Sequence, residues 1–221
     1  MDHINTHAFS TSICKLCSDQ RAEFKWLPGS ISSYREGVLV KYAGEPVTAD
    51  HKLYPVVSNI AYNLQYLEYL NKCFEDLYLT SVLRAQNIKM FVLTSSQIIE
   101  CFLYIKLIEM GVNKDDIWDF MNNLKTATAK NAFALGPQFY RNELYWMKDM
   151  RNHIHKQSPA NIEDADYLIF ESIEVLNRSK RILVYFLQRA LKMSTQEMKQ
   201  TFYFLEPTKE FVHSKDPNAA V

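Results

Sequence analysis

Arg151 and His155 are the two side chains of this sequence whose types and spacing best suit chemistry. They lie in segment 138–155, which we expect to be a helix, and a helix advances ~100° per residue, so residues four apart stand side by side. A guanidinium can hold a phosphate in a fork of hydrogen bonds, and an imidazole can move protons near neutral pH. The pair therefore favours cleavage of RNA, in which the 2′-hydroxyl attacks the adjacent phosphorus. Such a reaction requires no metal ion.

The same helical wheel divides the segment into two faces. The face that carries Arg151 and His155 also holds three further polar side chains, Arg141, Lys148 and Asn152. The other face is apolar and is expected to be buried; it consists of Tyr140, Trp146, Met147, Met150 and Ile154. Glu143 and Leu144 each fall on the wrong side of this division. Because any surface helix has a polar face, simple solvation of that face is the alternative interpretation.

The run from Met150 to His155, Met-Arg-Asn-His-Ile-His, precedes a polar loop and a long final helix. This run is similar to the Arg-Asn and His signature of the HEPN superfamily, and the resemblance covers roughly residues 50–193. It implies a bundle of four or more helices, typically dimeric, in which the arginine and histidine of both subunits form a metal-independent endoribonuclease site. The family commonly places four to six residues between the two; here three separate Arg151 from His155, and one helical turn keeps both on one face.

Roles follow from the resemblance for three residues: Arg151 binds phosphate, His155 transfers protons, and Asn152 orients or contacts the phosphate. Lys148 is a neighbour on the residue pattern alone. His153 lies about 200° from Arg151 on a regular helix and points away. Family members often add a polar residue from a facing helix, and the candidates are Glu100 and Ser96. For Glu100 the alternative is a position at the bundle edge or a pair with a lysine.

Metal sites and cofactors are not expected. His153 and His155 would converge on a strand, but on a helix they diverge. Cys14 and Cys17 have the spacing of half a zinc site, with histidines upstream at His3 and His7, yet no second cysteine pair follows at a useful distance. The sequence also contains no Gly-rich phosphate loop, nucleophile elbow or dinucleotide fingerprint.

The positions of glycine and proline predict the domain organisation. With only 5 Gly and 7 Pro in 221 residues, the chain favours a few long helices. Residues 1–49 are expected to form a small β-hairpin or irregular arm, because Glu23–Leu27 and Val38–Tyr42 are short β-favouring runs. Residues 50–208 are expected to form an HEPN-like helical domain, and residues 209–221 a flexible tail. The predicted fold class is mainly α, an antiparallel bundle of four to five long helices.

Apolar periodicity and capping residues place the individual helices. We expect helices over residues 56–79 and 88–110, a shorter one through residue 125 that opens at Asn113, one over 138–155, and a long one over 162–193. Gly111 is expected to take a left-handed conformation after the second helix. Ser194 and Glu197 form a capping-box pattern that starts a last short helix.

Charge and hydropathy limit the partners and the compartment. Lys+Arg and Asp+Glu are 25 each, so the formal net charge is zero. Binding along many phosphates of a nucleic acid is therefore not expected, although a few local phosphate contacts are. The last long helix carries basic residues that either extend an RNA path or, as we interpret them because Glu171 and Glu174 lie among them, form a solvated face: Arg178, Lys180, Arg181, Arg189 and Lys192. No uninterrupted apolar run of roughly 18 residues is present, and the first residues do not resemble a signal peptide. The four cysteines are expected to be reduced thiols in a cytoplasmic protein that does not enter the membrane.

Together these features predict an HEPN-type endoribonuclease that acts in the cytoplasm as a homodimer, in a toxin or phage-defence setting. RNA is the expected partner, with an antitoxin or regulatory protein as a further one. The alternative, from another class, is a non-catalytic HEPN-like helical module that binds RNA, nucleotide or a protein. A purely structural oligomeric bundle is a third interpretation.

Overall fold

A computed structural model describes residues 29–43, 53–77, 79–117, 119–155 and 169–209. This part of the chain is mainly helical and contains no strand, as the low glycine and proline content predicts. The α-helices are α1 (Ile31–Ala43), α2 (Tyr54–Asp76), α3 (Ser81–Glu109), α4 (Phe120–Ala129), α5 (Tyr145–His155), α6 (Ile173–Ala190) and α7 (Thr195–Thr201). Short 3-10 helices span Lys114–Asp116 and Tyr203–Leu205.

Helix α3 is the central element of the described fold, because it contacts α2, α4, α5 and α6. Many of its large apolar side chains are fully buried, among them Ile88, Phe91 and Phe102, whereas Val82 and Leu83 in the first turn are exposed. By length and composition alone this helix could also cross a membrane. The core helix of a soluble protein passes the same test, and 61% of the apolar stretch of α3 is buried inside the protein.

Capping residues set several helix boundaries. Gly111 has φ +75°, the left-handed conformation expected after α3. The capping box of Ser194 and Glu197 is present at the start of α7, as predicted. Asn113 caps only the 3-10 turn, and α4 begins later, where the Asp119 carboxylate accepts hydrogen bonds from two backbone amides. The start expected at Asn113 is therefore too early, since the stronger cap lies six residues downstream.

The expected strand at Val38–Tyr42 is wrong, because those residues belong to α1. Tyr34 and Val38 are one helical turn apart, and both are buried in the core. Burial of this helical pair outweighs β propensity, which spans only about 1 kcal/mol and depends on context. The other β-favouring run, Glu23–Leu27, lies outside the described residues, as do Cys14, Cys17 and the predicted tail from residue 210 onward.

The last long helix is not continuous over 162–193. The helix is interrupted at Glu171 and Ser172, and α6 starts at Ile173. The Ser172 hydroxyl accepts a hydrogen bond from the amide of Glu174 at 3.2 Å, so the chain uses a local cap in place of a continued helix. The N-cap expected at Asn161 lies outside the described residues.

Lys180 is buried, not solvated as its charged neighbours on α6 suggested. Its ammonium donates to Asn71 Oδ1 at 2.5 Å, to Thr208 Oγ1 at 2.8 Å and to the carbonyl of Glu206 at 2.9 Å. Burial lowers the pKa of Lys180 to about 8, although the carboxylates of Glu75 and Glu206 oppose this shift. The lysine thus fixes the C-terminal residues of the described fold to α2 and α6.

Glu68 forms a second buried polar junction. Its carboxylate accepts hydrogen bonds from Tyr34 Oη at 2.6 Å, Tyr203 Oη at 2.5 Å and the amide of Gly29 at 2.7 Å. Burial, together with the nearby Glu68 carboxylate, strongly raises the pKa of Tyr34. This junction joins the segment before α1, helix α2 and the C-terminal 3-10 helix.

A π-helical segment precedes α5 and changes the register of the helical wheel. The chain forms one α-helical turn at Pro137–Phe139, then a π-helix over Tyr140–Leu144, and only then the regular helix α5. A π turn holds more residues than an α turn, so side chains before Tyr145 are rotated relative to those after it. This rotation explains why Leu144 is fully buried and why Glu143 reaches Arg178 at 3.1 Å, two positions that do not fit a regular wheel.

Candidate active site around Arg151 and Glu100

Arg151 and Glu100 form an ion pair between α5 and α3. Arg151 Nη2 lies 3.1 Å from Glu100 Oε2, and the two side chains are 25% and 29% exposed. The Arg151 guanidinium also lies 5.5 Å from the centre of the Phe120 ring, at the first residue of α4. The pair is therefore half-buried at a junction of three helices and belongs neither to the interior of the core nor to a fully solvated face. This contact agrees with both sequence interpretations of Glu100, a polar residue on a facing helix and a position at the bundle edge that pairs with a basic side chain.

The environment of Glu100 raises the pKa of its carboxyl above the ordinary value. Burial raises the pKa of this carboxyl most, and the nearby Asp119 carboxylate raises it further, whereas Arg151 opposes the shift. A carboxyl with a raised pKa exchanges its proton closer to neutral pH than an ordinary glutamate does. Glu100 can therefore hold the guanidinium in place or share a proton with a bound group.

Arg151 keeps hydrogen-bonding capacity beyond its contact with Glu100. Its Nε is buried and has no hydrogen-bond partner among the described residues. The next residue, Asn152, is exposed to solvent. A guanidinium has five N–H donors, so one edge can remain on Glu100 while another contacts an incoming anion.

His155 is the last residue of α5, one turn after Arg151. Because the helix is regular from Tyr145 onward, the two residues lie about 40° apart around its axis. The side chain of His155 lies outside the described residues. His153 is half-buried, and the regular helix places it about 200° from Arg151, as expected from the sequence.

The other polar residues expected near Arg151 lie elsewhere or are already paired. Lys148 is 13% exposed, and its ammonium lies 2.5 Å from the Asp149 carboxylate. Arg141 is exposed in the π-helical segment, ten residues and about 15 Å along the axis from Arg151, and the π turn moves it off the expected face. Ser96 is fully buried and donates to the carbonyl of Leu93 at 2.7 Å, so it does not reach the ion pair.

A cleft that the sequence did not predict lies beside the ion pair. Its volume is about 630 Å³, it is bounded by residues of α2, α3 and α4, and Glu100 forms part of its wall. The polar and aromatic side chains that line it include Asn59, Tyr62, Asn63, Gln97, Tyr104 and Asn123. Sequence reasoning missed this cleft because its residues come from three helices. The detectable signals were two spacings of helical turns, Asn59 with Asn63 and Gln97 with Tyr104.

Metal-ligating groups do not cluster in the described ranges. Those residues contain no set of three or more His, Cys, Asp or Glu side chains that could hold a metal ion. Cys73 and Cys101 are half-buried free thiols on α2 and α3. Burial, and secondarily the Glu100 carboxylate, raises the pKa of Cys101 to about 11, so this thiol is protonated at neutral pH.

Comparisons with known proteins identify no relative of this chain. No protein-family model, no curated protein and no solved structure matches it. The functional assignment therefore depends on the residues and geometry described above, together with the motif resemblance.

Proposed function

We propose that this protein is a metal-independent endoribonuclease of HEPN type, with an antiparallel helical bundle that acts as a homodimer in the cytoplasm. The observation that carries the proposal is the half-buried pair of Arg151 and Glu100, one helical turn before His155. A buried arginine would be inaccessible to RNA, and a fully solvated one would have no fixed orientation. The Glu100 contact supports an intermediate state in which the guanidinium is both oriented and partly accessible.

The proposed reaction is an intramolecular transesterification of RNA. The neutral imidazole of His155 accepts the proton of a 2′-hydroxyl, whose oxygen then forms a bond to the adjacent phosphorus. Arg151 donates hydrogen bonds to the phosphoryl oxygens and stabilises the charge that they gain in the phosphorane. The bond from phosphorus to the 5′-oxygen breaks, and that oxygen takes a proton from the imidazolium of His155 in a second copy. The products are a 2′,3′-cyclic phosphate and a 5′-hydroxyl.

The other residues have supporting roles in this proposal. Glu100 positions the Arg151 guanidinium, and Asn152, exposed beside it, contacts the phosphate backbone. Arg141, exposed in the π-helical segment, contacts RNA farther from Arg151, whereas Lys148 is mostly buried and paired with Asp149. Cleavage of cellular RNA arrests growth, so the proposed biological setting is a toxin with its antitoxin, or defence against phage.

A chelator-resistant cleavage assay tests the proposal. Purified protein is incubated with end-labelled single-stranded RNA in excess EDTA, and Arg151→Ala and His155→Ala are each expected to reduce cleavage at least 100-fold. The matched control is Arg181→Ala, which also removes an arginine paired with a glutamate, Glu174 at 2.6 Å, but on the exposed surface of α6. The control is expected to retain activity. Equal cleavage by the wild type and by Arg151→Ala would contradict the proposal.

One observation favours a second candidate, a non-catalytic HEPN-like module that binds RNA, nucleotide or a protein. Glu100 already neutralises Arg151, and only three residues separate Arg151 from His155. A binding module predicts RNA retention in a gel-shift assay that Arg151→Ala weakens, without cleavage under any condition. The two candidates therefore differ in a single readout, the appearance of shortened RNA.

A further inference from the structure

Asn123 lines the cleft beside Glu100 and has an unsatisfied buried acceptor. The residue is 4% exposed, and its Oδ1 is buried with no hydrogen-bond partner among the described residues. Buried polar atoms in folded proteins nearly always have a partner, so an unpaired one calls for an explanation. A ligand that donates a hydrogen bond inside the cleft would supply the missing partner.

The chemistry of the cleft matches a planar, uncharged ligand with hydrogen-bonding edges. Asn59, Asn63 and Gln97 present amide groups that both donate and accept. Tyr62 lines the same cleft, and 51% of its surface is exposed, so its ring is available for stacking. Side-chain amides and aromatic rings are the groups with which proteins read unpaired bases.

The charge of the cleft disfavours phosphate as its main occupant. Among the described residues no lysine or arginine lines it, and the one acidic residue of that lining, Glu100, is paired with Arg151. A phosphate placed there would lose hydration without gaining a cation. A base loses much less, because it carries no charge. The volume of about 630 Å³ accommodates a nucleoside.

We infer that this cleft is a nucleobase subsite, in which the Oδ1 of Asn123 accepts a hydrogen bond from an N–H of an unpaired base and Tyr62 stacks on that base. The inference rests on the proposed function, since the base belongs to the RNA whose phosphate meets Arg151. Each of the four RNA bases has an N–H donor, so the remaining amides decide the preference among them. Tyr62 acts at the mouth of the cleft, and Asn123 acts in its wall.

Binding of the four uncharged nucleosides tests the subsite without requiring catalysis. Adenosine, guanosine, cytidine and uridine are titrated into the full-length protein, and binding is followed by changes in the NMR spectrum. We expect at least one to bind in the millimolar range, and Asn123→Leu and Tyr62→Ala each to weaken that binding at least 5-fold. The matched control is Tyr69→Ala on the same helix, which removes an equally exposed tyrosine, 51%, outside the cleft lining. The control should bind as the wild type does.

The outcomes separate the subsite from the proposed catalysis. Nucleoside binding that requires Asn123, in a protein that cleaves no RNA, would support the subsite and reject the endoribonuclease. Arg151-dependent cleavage together with nucleoside binding that Asn123→Leu and Tyr62→Ala leave unchanged would reject the subsite alone. Should Asn123→Leu fail to fold, the exposed Tyr62→Ala variant decides. Absence of binding by all four nucleosides up to their solubility limits would also overturn the inference.

Discussion

The guanidinium of Arg151 lies 3.1 Å from the carboxylate of Glu100, and this contact connects the helix of the Arg-Asn and His motif to the central helix of the fold. Residues 51 positions apart in the sequence therefore share one half-buried site. The contact gives Arg151 a fixed direction, which a phosphate-binding arginine needs. A substitution of Glu100 should therefore change the orientation of Arg151 while the Arg-Asn and His motif stays intact.

Replacement of Glu100 by glutamine should lower the maximal rate of RNA cleavage about 10-fold, because the guanidinium loses its charged partner while the side chain keeps its size. The Michaelis constant should change less than the maximal rate, since the main role of the Glu100 charge is to orient Arg151. Because burial raises the pKa of Glu100, the wild-type rate should rise with pH as this carboxyl ionises. Glu100→Gln should lose that limb of the pH profile. An unaltered pH profile would show that Glu100 does not act through ionisation.

Replacement of Glu68 by leucine should destabilise the protein by about 2–4 kcal/mol, because one buried donor and two part-buried donors lose their shared acceptor. The donors are the hydroxyls of Tyr34 and Tyr203 and the amide of Gly29. Urea denaturation measures the change, and Glu36→Leu on α1 is the control, since Glu36 is exposed. Equal unfolding midpoints for the two variants would contradict this account of the junction.

The burial of Lys180 predicts a pH dependence of stability. Its pKa is about 8 in the folded protein and has the ordinary value of 10.5 in the unfolded chain. Between these values the unfolded state binds more protons, so the contribution of Lys180 to the unfolding free energy rises as pH rises from 8 to 10.5. Lys180→Met cannot titrate. The stability difference between wild type and variant should therefore shift in favour of the wild type by about 1–3 kcal/mol over that range.

Tyr34 also affects the pH dependence of stability, and its contribution must be separated from that of Lys180. Its raised pKa gives the opposite slope, because above pH 10 the unfolded tyrosine ionises while the folded one does not. Both proteins contain Tyr34, so its contribution cancels when the two stability curves are subtracted. A difference that stays constant, or that favours the variant as pH rises, would contradict the assignment of Lys180 as a buried cation.

Short sequence motifs correctly predicted two helix ends, because neighbouring residues alone determine the backbone there. Ser194 with Glu197 and Gly111 act at helix ends, and each needs only its neighbours to fix the backbone. The strand predicted at Val38 was wrong. Its β-branched side chain favours a strand, but its burial in the core stabilises a helix. The π turn before Tyr145 has no simple sequence signature, although Glu143 and Leu144 did violate the regular wheel.

The candidate site was accessible to sequence reasoning only in part. The positions of Arg151 and His155 follow from one helix. Glu100 was one of two candidates on a facing helix, and its pairing with Arg151 was not predicted. The pairing of Lys148 with Asp149 depends on side-chain rotamers, and the displacement of Arg141 depends on the π turn. Sequence periodicity determines neither. Asn123 was not identified, because an unpaired buried acceptor is recognisable only when the surrounding helices are in place.

The most direct test of the central claim is the chemistry of the RNA ends produced in excess chelator. If Arg151 and His155 act as proposed, wild-type protein generates 2′,3′-cyclic phosphate and 5′-hydroxyl ends, and neither Arg151→Ala nor His155→Ala does so while both remain folded. Ends carrying a 5′-phosphate, or cyclic phosphate ends produced equally by both variants, would contradict the claim that this pair cleaves RNA.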